Sequence, residues 1–233
     1  AGDVIIFTYA SMVFTAMETD YLPRLSSVNH DKEAVNQTVN RQIEVSLLII
    51  SPMLVAFTVL LPILLPLLYS SKFSPVIGMA QVAVISMFFR ALTLPVSYIT
   101  LAKGDSVAYL ILETIYDIVF VVLIIFGFKY LGLFGTGLAL ATAGFIDFVL
   151  VNVYAHIRYK YTISNYVLNV FLLQLPLLIV AYLLTYIDIQ WLYWLSESLL
   201  ATVSLVISIR KLHSKTSLWT TLGTKLKSKF SYE

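Results

Sequence analysis

The sequence contains no cysteine, only three histidines and few charged side chains. Without cysteine the protein can form neither disulfide bonds nor thiolate metal sites, and His30, His156 and His213 are too widely spaced to suggest a metal site. Charged residues make up 12% of the chain, whereas apolar residues make up 59%. This balance lies outside the range of soluble domains and predicts a membrane protein without a metal site.

Sequence motifs for catalysis are also absent. The chain has no nucleophile constellation, no phosphate-binding glycine loop and no dinucleotide fingerprint. We therefore expect a protein that is not an enzyme and that uses no cofactor, apart from a coupling ion such as H+ or Na+.

Long polar stretches are rare, and apolar runs fill most of the sequence. Because about 20 helical residues cross the ~30 Å hydrocarbon core of a bilayer, the runs predict an all-α polytopic protein with about seven transmembrane helices. These spans cover residues 4–20, 43–69, 75–102, 106–130, 133–159, 166–186 and 191–209. Prolines inside the spans predict bends, since each removes one helical hydrogen bond: Pro52, Pro62, Pro66, Pro95 and Pro176.

Polar sequence is concentrated in one connector and in the C-terminal tail. The connector covers residues 24–42 and predicts a short amphipathic helix over residues 32–42 on the membrane surface. The tail, residues 210–233, interleaves lysines with apolar side chains, which favours a surface helix on anionic lipid. A disordered basic tail is the alternative, and we expect no nucleic-acid binding.

The basic residues predict the orientation of the chain. If the loops alternate between sides, twelve basic residues lie on one side of the membrane and only Lys72 and Lys129 lie on the other. By the positive-inside rule the first side is cytoplasmic, so the C-terminus is predicted to be cytoplasmic.

Charged residues inside the spans are the candidate functional groups. Arg90 lies near the centre of the third span, where a charge costs about 2.5–3.5 kcal/mol on insertion scales. Asp117 lies at a similar depth in the fourth span, so adjacent antiparallel helices are expected to bring the two level. The alternative to a functional role is a buried ion pair that fixes helix register.

Further polar residues extend this candidate site. Ser86, Thr93 and Ser97 follow helical spacing with Arg90 and form the predicted substrate-binding set with it. Glu113, Asp117 and Asp147 are predicted to couple transport to an ion, because neighbouring carboxylates in a low dielectric favour binding of a proton or cation.

Other charged residues lie near the ends of the spans. Glu18, Asp20 and Arg24 lie at the predicted cytoplasmic end of the first span and are candidates for a gate or for interfacial anchors. Glu197 lies two turns into the last span and is expected to extend outward.

Three sequence patterns resemble the C-terminal half of the polysaccharide exporters. These are the O-antigen or oligosaccharide flippases of the multidrug/oligosaccharidyl-lipid/polysaccharide superfamily, and the resemblance runs from Val4 to Thr162. The patterns are Tyr21-Leu22-Pro23-Arg24-Leu25-Ser26, then Lys72-Phe73 with Leu101-Ala102-Lys103-Gly104-Asp105, and Gly132-Leu133-Phe134-Gly135-Thr136-Gly137.

The resemblance implies a transporter of about twelve to fourteen helices that works by alternating access. Residues 1–162 would form its C-terminal transport bundle and residues 163–209 an extra helix pair, with the N-terminal half missing from this chain. The implied substrate is an undecaprenyl-pyrophosphate-linked oligosaccharide, moved across the bacterial inner membrane for O-antigen or capsule synthesis. In this view Arg90 receives the pyrophosphate or acidic sugars.

Two other functions stay open at this stage. A multidrug or cation antiporter of the same fold would need a surplus of acidic groups in its cleft. A membrane-embedded glycan polymerase or transferase would need a large extracytoplasmic loop, and the predicted outer loops are only a few residues long.

Overall fold

A computed structural model describes residues 19–68, 71–187 and 189–215. These residues form helices and no strand, which confirms the all-α fold class. Glu18, most of the first predicted span and the tail beyond residue 215 lie outside the described residues. The helices are α1, described over residues 19–27, α2 (Lys32–Leu68), α3 (Ile77–Ala102), α4 (Ser106–Tyr159), α5 (Asn165–Leu184) and α6 (Gln190–Lys215), with a 3-10 helix (Ser71–Val76) before α3.

Helices α2 to α6 are each long and apolar enough to cross a membrane, so the chain is a multi-pass membrane protein. The longest, α4, has 54 residues and would measure about 81 Å if it were straight. It reverses direction at Gly132, whose φ of 62° and ψ of −143° are not helical. The backbones of Gly127 and Gly135 touch across the reversal.

Helix α4 is therefore a helical hairpin with two antiparallel halves, α4a (residues 106–131) and α4b (residues 133–159). Each half corresponds to one predicted span. The total of seven spans stays a prediction, because the first lies mostly outside the described residues. The division into a transport bundle and a terminal helix pair also stays a prediction.

The predicted surface helix over residues 32–42 is not a separate element. It continues into the second span as the single helix α2, since no glycine or proline interrupts this stretch. Asn40, Gln42 and Glu44 are buried at the N-terminal end of α2. This polar end of the helix therefore packs against the protein.

The prolines remain inside continuous helices, and Pro62 shows how the lost hydrogen bond is replaced. Proline cannot donate to the carbonyl four residues earlier, which here is that of Thr58. The Gln81 side chain of α3 donates to the Thr58 carbonyl at 3.2 Å. The Tyr193 hydroxyl of α6 donates to the neighbouring Val59 carbonyl at 3.0 Å. These two bonds join α3 and α6 to the same turn of α2.

Helices α3 and α4b approach each other to backbone contact. A Cβ atom on Gly137 would lie 2.5 Å from the Met79 carbonyl oxygen, and one on Gly144 would lie 3.2 Å from the Ser86 Cα. Gly135 instead faces α4a. The small residues of α4b thus serve two contacts, one with α3 and one within the hairpin.

The connectors after α1, α3 and α4 lie at the same end of the bundle. Asn29 donates a hydrogen bond to the Ala102 carbonyl at 2.8 Å. Asn40 donates to the Thr162 carbonyl at 2.9 Å and accepts from the Ser164 amide at 2.7 Å. The helices therefore alternate in direction, as the predicted loops require.

We predict that Gly137→Ala destabilises the protein, because the new methyl group would collide with the backbone of Met79. Overpacking of this kind costs about 1–3 kcal/mol. The matched control is Gly78→Ala in α3, where a Cβ would meet nothing within 4 Å. In thermal unfolding of the detergent-solubilised protein, Gly137→Ala should melt earlier than wild type and Gly78→Ala should not. Equal melting of the two variants would contradict the contact.

Candidate functional site

The charged residues of the spans come together where α3 meets the α4 hairpin. Arg90 lies on α3, Glu113 and Asp117 lie on α4a, and Asp147 lies on α4b. The charges of Glu113 and Arg90 both act on the Asp147 carboxyl group. All four charges act on the hydroxyl of Tyr116. We call Arg90, Glu113, Asp117 and Asp147 the α3–α4 charge cluster.

The expected ion pair between Arg90 and Asp117 is not formed. Neither side chain makes an ion pair within the described residues, and both are exposed on the surface of the bundle. Glu113 and Asp147 are half-buried. Similar depth in the membrane was therefore not enough to pair Arg90 with Asp117. The carboxyl group that interacts electrostatically with Arg90 is instead that of Asp147.

The serine and threonine side chains predicted to line the site with Arg90 are buried. Ser86, Thr93 and Ser97 are 7%, 4% and 3% exposed, whereas Arg90 faces outward. Their hydroxyls donate to carbonyls of their own helix, those of Ala83 at 2.7 Å, Phe89 at 3.0 Å and Leu94 at 2.9 Å. This local bonding is common for hydroxyls in membrane helices. It leaves Arg90 as the member of the set that is open to a ligand in this conformation.

The cluster combines one permanent cation with three carboxyl groups. The guanidinium of Arg90 has five donors and can hold two oxygens of a phosphate or carboxylate in a fixed geometry. The cluster has three carboxyl groups and one guanidinium, so some of the carboxyl groups can bind protons. No group of three or more acidic residues in the described part of the chain could hold a metal ion. The arrangement can therefore bind an anion and protons on one surface.

Arg24, one of the candidate gate residues, connects α1 with α2. Arg24 lies 4.0 Å from Asp20 in an ion pair whose side chains are 46% and 89% exposed, respectively. The same guanidinium donates to the Gln42 amide oxygen at 3.0 Å. Exposed pairs of this type stabilise little. Their role in a gate stays a prediction.

Glu197 is a buried carboxyl group, and the prediction that it extends outward is wrong. Rather than extending outward, it is 0% exposed, and neither carboxyl oxygen has a hydrogen-bond partner in the described part of the chain. Ser204 and Ser208 follow on the same face of α6 and bond to the buried side chain of Gln174 from α5. The polar spacing of residues 197, 204 and 208 was the sequence signal for this buried face.

We predict that Glu197→Gln leaves the stability unchanged or raises it. An unpaired carboxylate buried in this way would cost several kcal/mol, so we expect that an uncharged amide of similar shape can replace it. Gln174→Glu is the matched control, because it removes the amide that donates to Ser208 at 3.0 Å. Loss of this hydrogen bond should lower the free energy of unfolding by about 1–3 kcal/mol.

Thermal unfolding in detergent checks this prediction. A lower melting temperature for Glu197→Gln, similar to that of Gln174→Glu, would mean that Glu197 is charged and paired.

Comparison with known proteins agrees with this architecture. Residues 2–78 match the sequence profile of a family described as polysaccharide biosynthesis protein. No curated protein sequence matches the chain. The solved structure of the lipid II flippase MurJ in an inward closed conformation superposes with a TM-score of 0.60 and 21% sequence identity.

That superposition covers 91% of this chain and 47% of the flippase, so the chain spans about half the length of its structural relative. Identity at this level shows a shared fold. The resemblance to the polysaccharide exporters, predicted from sequence, is confirmed by the family match over residues 2–78. The structural comparison shows that the chain shares the fold of about half of a lipid II flippase.

Proposed function

We propose that the protein takes part in flipping a lipid-linked oligosaccharide across the bacterial inner membrane during polysaccharide synthesis. The family match and the flippase fold support this class of function. The observation that carries the proposal is the α3–α4 charge cluster, which lies within the spans and opens onto the surface of the bundle.

The exposure of the cluster argues for a polar cleft beside it. Arg90 and Asp117 are exposed on helices that cross the membrane, and a charge facing lipid there costs about 2.5–3.5 kcal/mol or more. The structural relative is about twice as long as this chain. We infer that the cluster lines a cleft closed by a part of the transporter that has no counterpart in this chain.

Arg90 is the proposed site for the anionic end of the substrate. The carrier in our proposal is undecaprenyl pyrophosphate, whose phosphate oxygens suit the planar, bidentate guanidinium. Ser86, Thr93 and Ser97 would contribute only if α3 rotated, because their hydroxyls are bonded to their own helix.

The carboxyl groups of the cluster are proposed to couple transport to an ion. The α3–α4 charge cluster has three carboxyl groups and one arginine, so the arginine cannot neutralise all of the carboxylates. Binding of H+ or Na+ to Glu113, Asp117 or Asp147 would change the net charge around Arg90 and so its affinity for pyrophosphate. This change would favour release of the substrate on one side of the membrane in an alternating-access cycle.

We predict that Arg90→Ala lowers glycan export at least tenfold while the protein still inserts and folds. The side chain is exposed and unpaired in the described part of the chain, so its loss should not disturb packing. Arg90→Lys should recover only part of the export, since it keeps the charge but loses the bidentate geometry. Surface glycan is measured in cells whose export depends on this protein.

Lys129→Ala is the control for loss of an exposed cation, because Lys129 lies beside the α4 reversal and outside the cluster. Normal export by Arg90→Ala at wild-type protein levels would remove Arg90 from the mechanism.

We also predict that Asp147→Asn uncouples export from the ion gradient. The amide cannot release a proton or hold Na+ as a carboxylate does, so export should become insensitive to collapse of the proton or sodium gradient. Thr142→Ala is the control on the same helix, since its exposed hydroxyl is bonded to the Leu138 carbonyl. If Asp147→Asn responded to ionophores as wild type does, Asp147 would have no part in coupling.

A multidrug or cation antiporter is the second candidate, and the surplus of acids in the cluster favours it. The same variants separate the two functions. An antiporter would lose cation or drug efflux in Asp147→Asn while Arg90→Ala remained active. A glycan polymerase or transferase has less support, because the connectors between the described helices are short.

A further inference from the structure

A basic pocket lies between the connectors at one end of the bundle. It has a volume of about 550 Å³ and is separate from the α3–α4 charge cluster. We call it the connector pocket. Its lining residues come from the start of α2, the α3–α4 connector and the end of α4b: Lys32, Lys103, Gly104, Asp105, Arg158, Tyr159 and Lys160.

The connector pocket carries four cations and one carboxylate. That carboxylate, of Asp105, accepts hydrogen bonds from the Tyr159 hydroxyl at 2.9 Å and the Ala108 amide at 3.3 Å. Lys32, Arg158 and Lys160 are exposed and make no ion pair in the described part of the chain. The positive charge of the pocket is therefore not neutralised by the protein.

The helix termini around the pocket do not add to its positive charge. Helices α2 and α4 begin beside it, at Lys32 and Ser106, whereas α3 and α4b end there, at Ala102 and Tyr159, and the two kinds of terminus carry opposite partial charges. The Asp31 and Asp105 carboxylates accept hydrogen bonds from the first-turn amides of Glu33 and Ala108. The positive charge of the pocket therefore comes from its side chains.

Lys160 occupies a strained position at the rim. Its φ of 60° is left-handed, and it is the only residue other than glycine with a positive φ among the described residues. The residue that follows a helix in this conformation is usually glycine. A lysine here is conformationally unfavourable, so its charge at the pocket offers a reason for its presence.

The surroundings of the pocket are those of a lipid rather than of a soluble ion. On the helix turns next to it, Val107, Leu110 and Ile157 are 68%, 66% and 66% exposed. The Tyr159 ring at the rim is typical of the membrane interface. An acyl chain that extends from the pocket would contact these exposed apolar side chains of α4.

We propose that the connector pocket binds the phosphate headgroup of an anionic phospholipid, with the acyl chains lying along α4. The charge of the side chains favours this ligand over a zwitterionic lipid, and the apolar neighbours suit its acyl chains. The site does not depend on the proposed transport function. The positive-inside count predicts that the lipid comes from the cytoplasmic leaflet.

The test is native mass spectrometry of the purified full chain with phosphatidylglycerol or phosphatidylcholine. Wild type should retain phosphatidylglycerol preferentially. The double variant Arg158→Gln/Lys160→Gln should bind it about twenty-five-fold more weakly, since each cation near the headgroup contributes about fivefold. Binding of phosphatidylcholine should not change.

Two controls separate the pocket from general surface charge and from misfolding. Arg210→Gln removes an exposed cation of α6 outside the pocket and should retain phosphatidylglycerol as wild type does. Lys160→Gly relieves the left-handed strain, so it should melt no earlier than wild type in lipid-free detergent and yet bind phosphatidylglycerol about fivefold more weakly.

Three results would overturn the proposal. Equal retention of phosphatidylglycerol by wild type and the double variant would exclude the pocket as a lipid site. An equal loss of phosphatidylglycerol binding in Arg210→Gln would show that binding depends on the overall positive charge of the protein rather than on the pocket. If inorganic phosphate displaced phosphatidylglycerol completely, the pocket would be a site for a soluble phosphate.

Discussion

The close approach of α3 and α4b is the contact on which the rest of the bundle depends. In lipid, helices gain little from hiding apolar side chains from water, so packing and hydrogen bonds must hold them together. Gly137 and Gly144 lack the side chains that would separate the two backbones. Because Gly144 lies one turn from Asp147 and Ser86 lies one turn from Arg90, this contact also brings the charge cluster together.

Satisfaction of polar groups is the second requirement, and it explains much of the remaining architecture. A carbonyl without a donor is expensive in a membrane, so the turn of α2 before Pro62 needs donors from other helices. Gln81 and Tyr193 supply these donors. In the connector after α4, Asn40 donates to the Thr162 carbonyl and accepts from the Ser164 amide. Side chains that look like isolated polar residues in an apolar sequence thus hold separate helices in position.

The sequence allowed the helices to be predicted more fully than the site. Apolar length and turn residues placed most span ends within a few positions, including the reversal at Gly132. The predicted ion pair between Arg90 and Asp117 is not formed, because similar depth along two helices does not set how each helix is rotated about its axis. Ser86 and Arg90 lie on neighbouring parts of the α3 surface, but Ser86 is buried and Arg90 faces outward. The spacing of residues 197, 204 and 208 indicates that they share a face of α6, but only the packing of α6 against α2 and α5 shows that this face is buried.

The reversal at Gly132 also bears on how the protein enters the membrane. A single residue separates the two halves of α4, and Lys129 is the only charged residue between Asp117 and Asp147. Insertion of α4 therefore requires almost no polar backbone or charge to cross the hydrocarbon core. The contact between Gly127 and Gly135 joins the two halves directly at the reversal, so they can enter the bilayer as a pair. The reversal itself leaves no loop for a protease or an antibody to recognise.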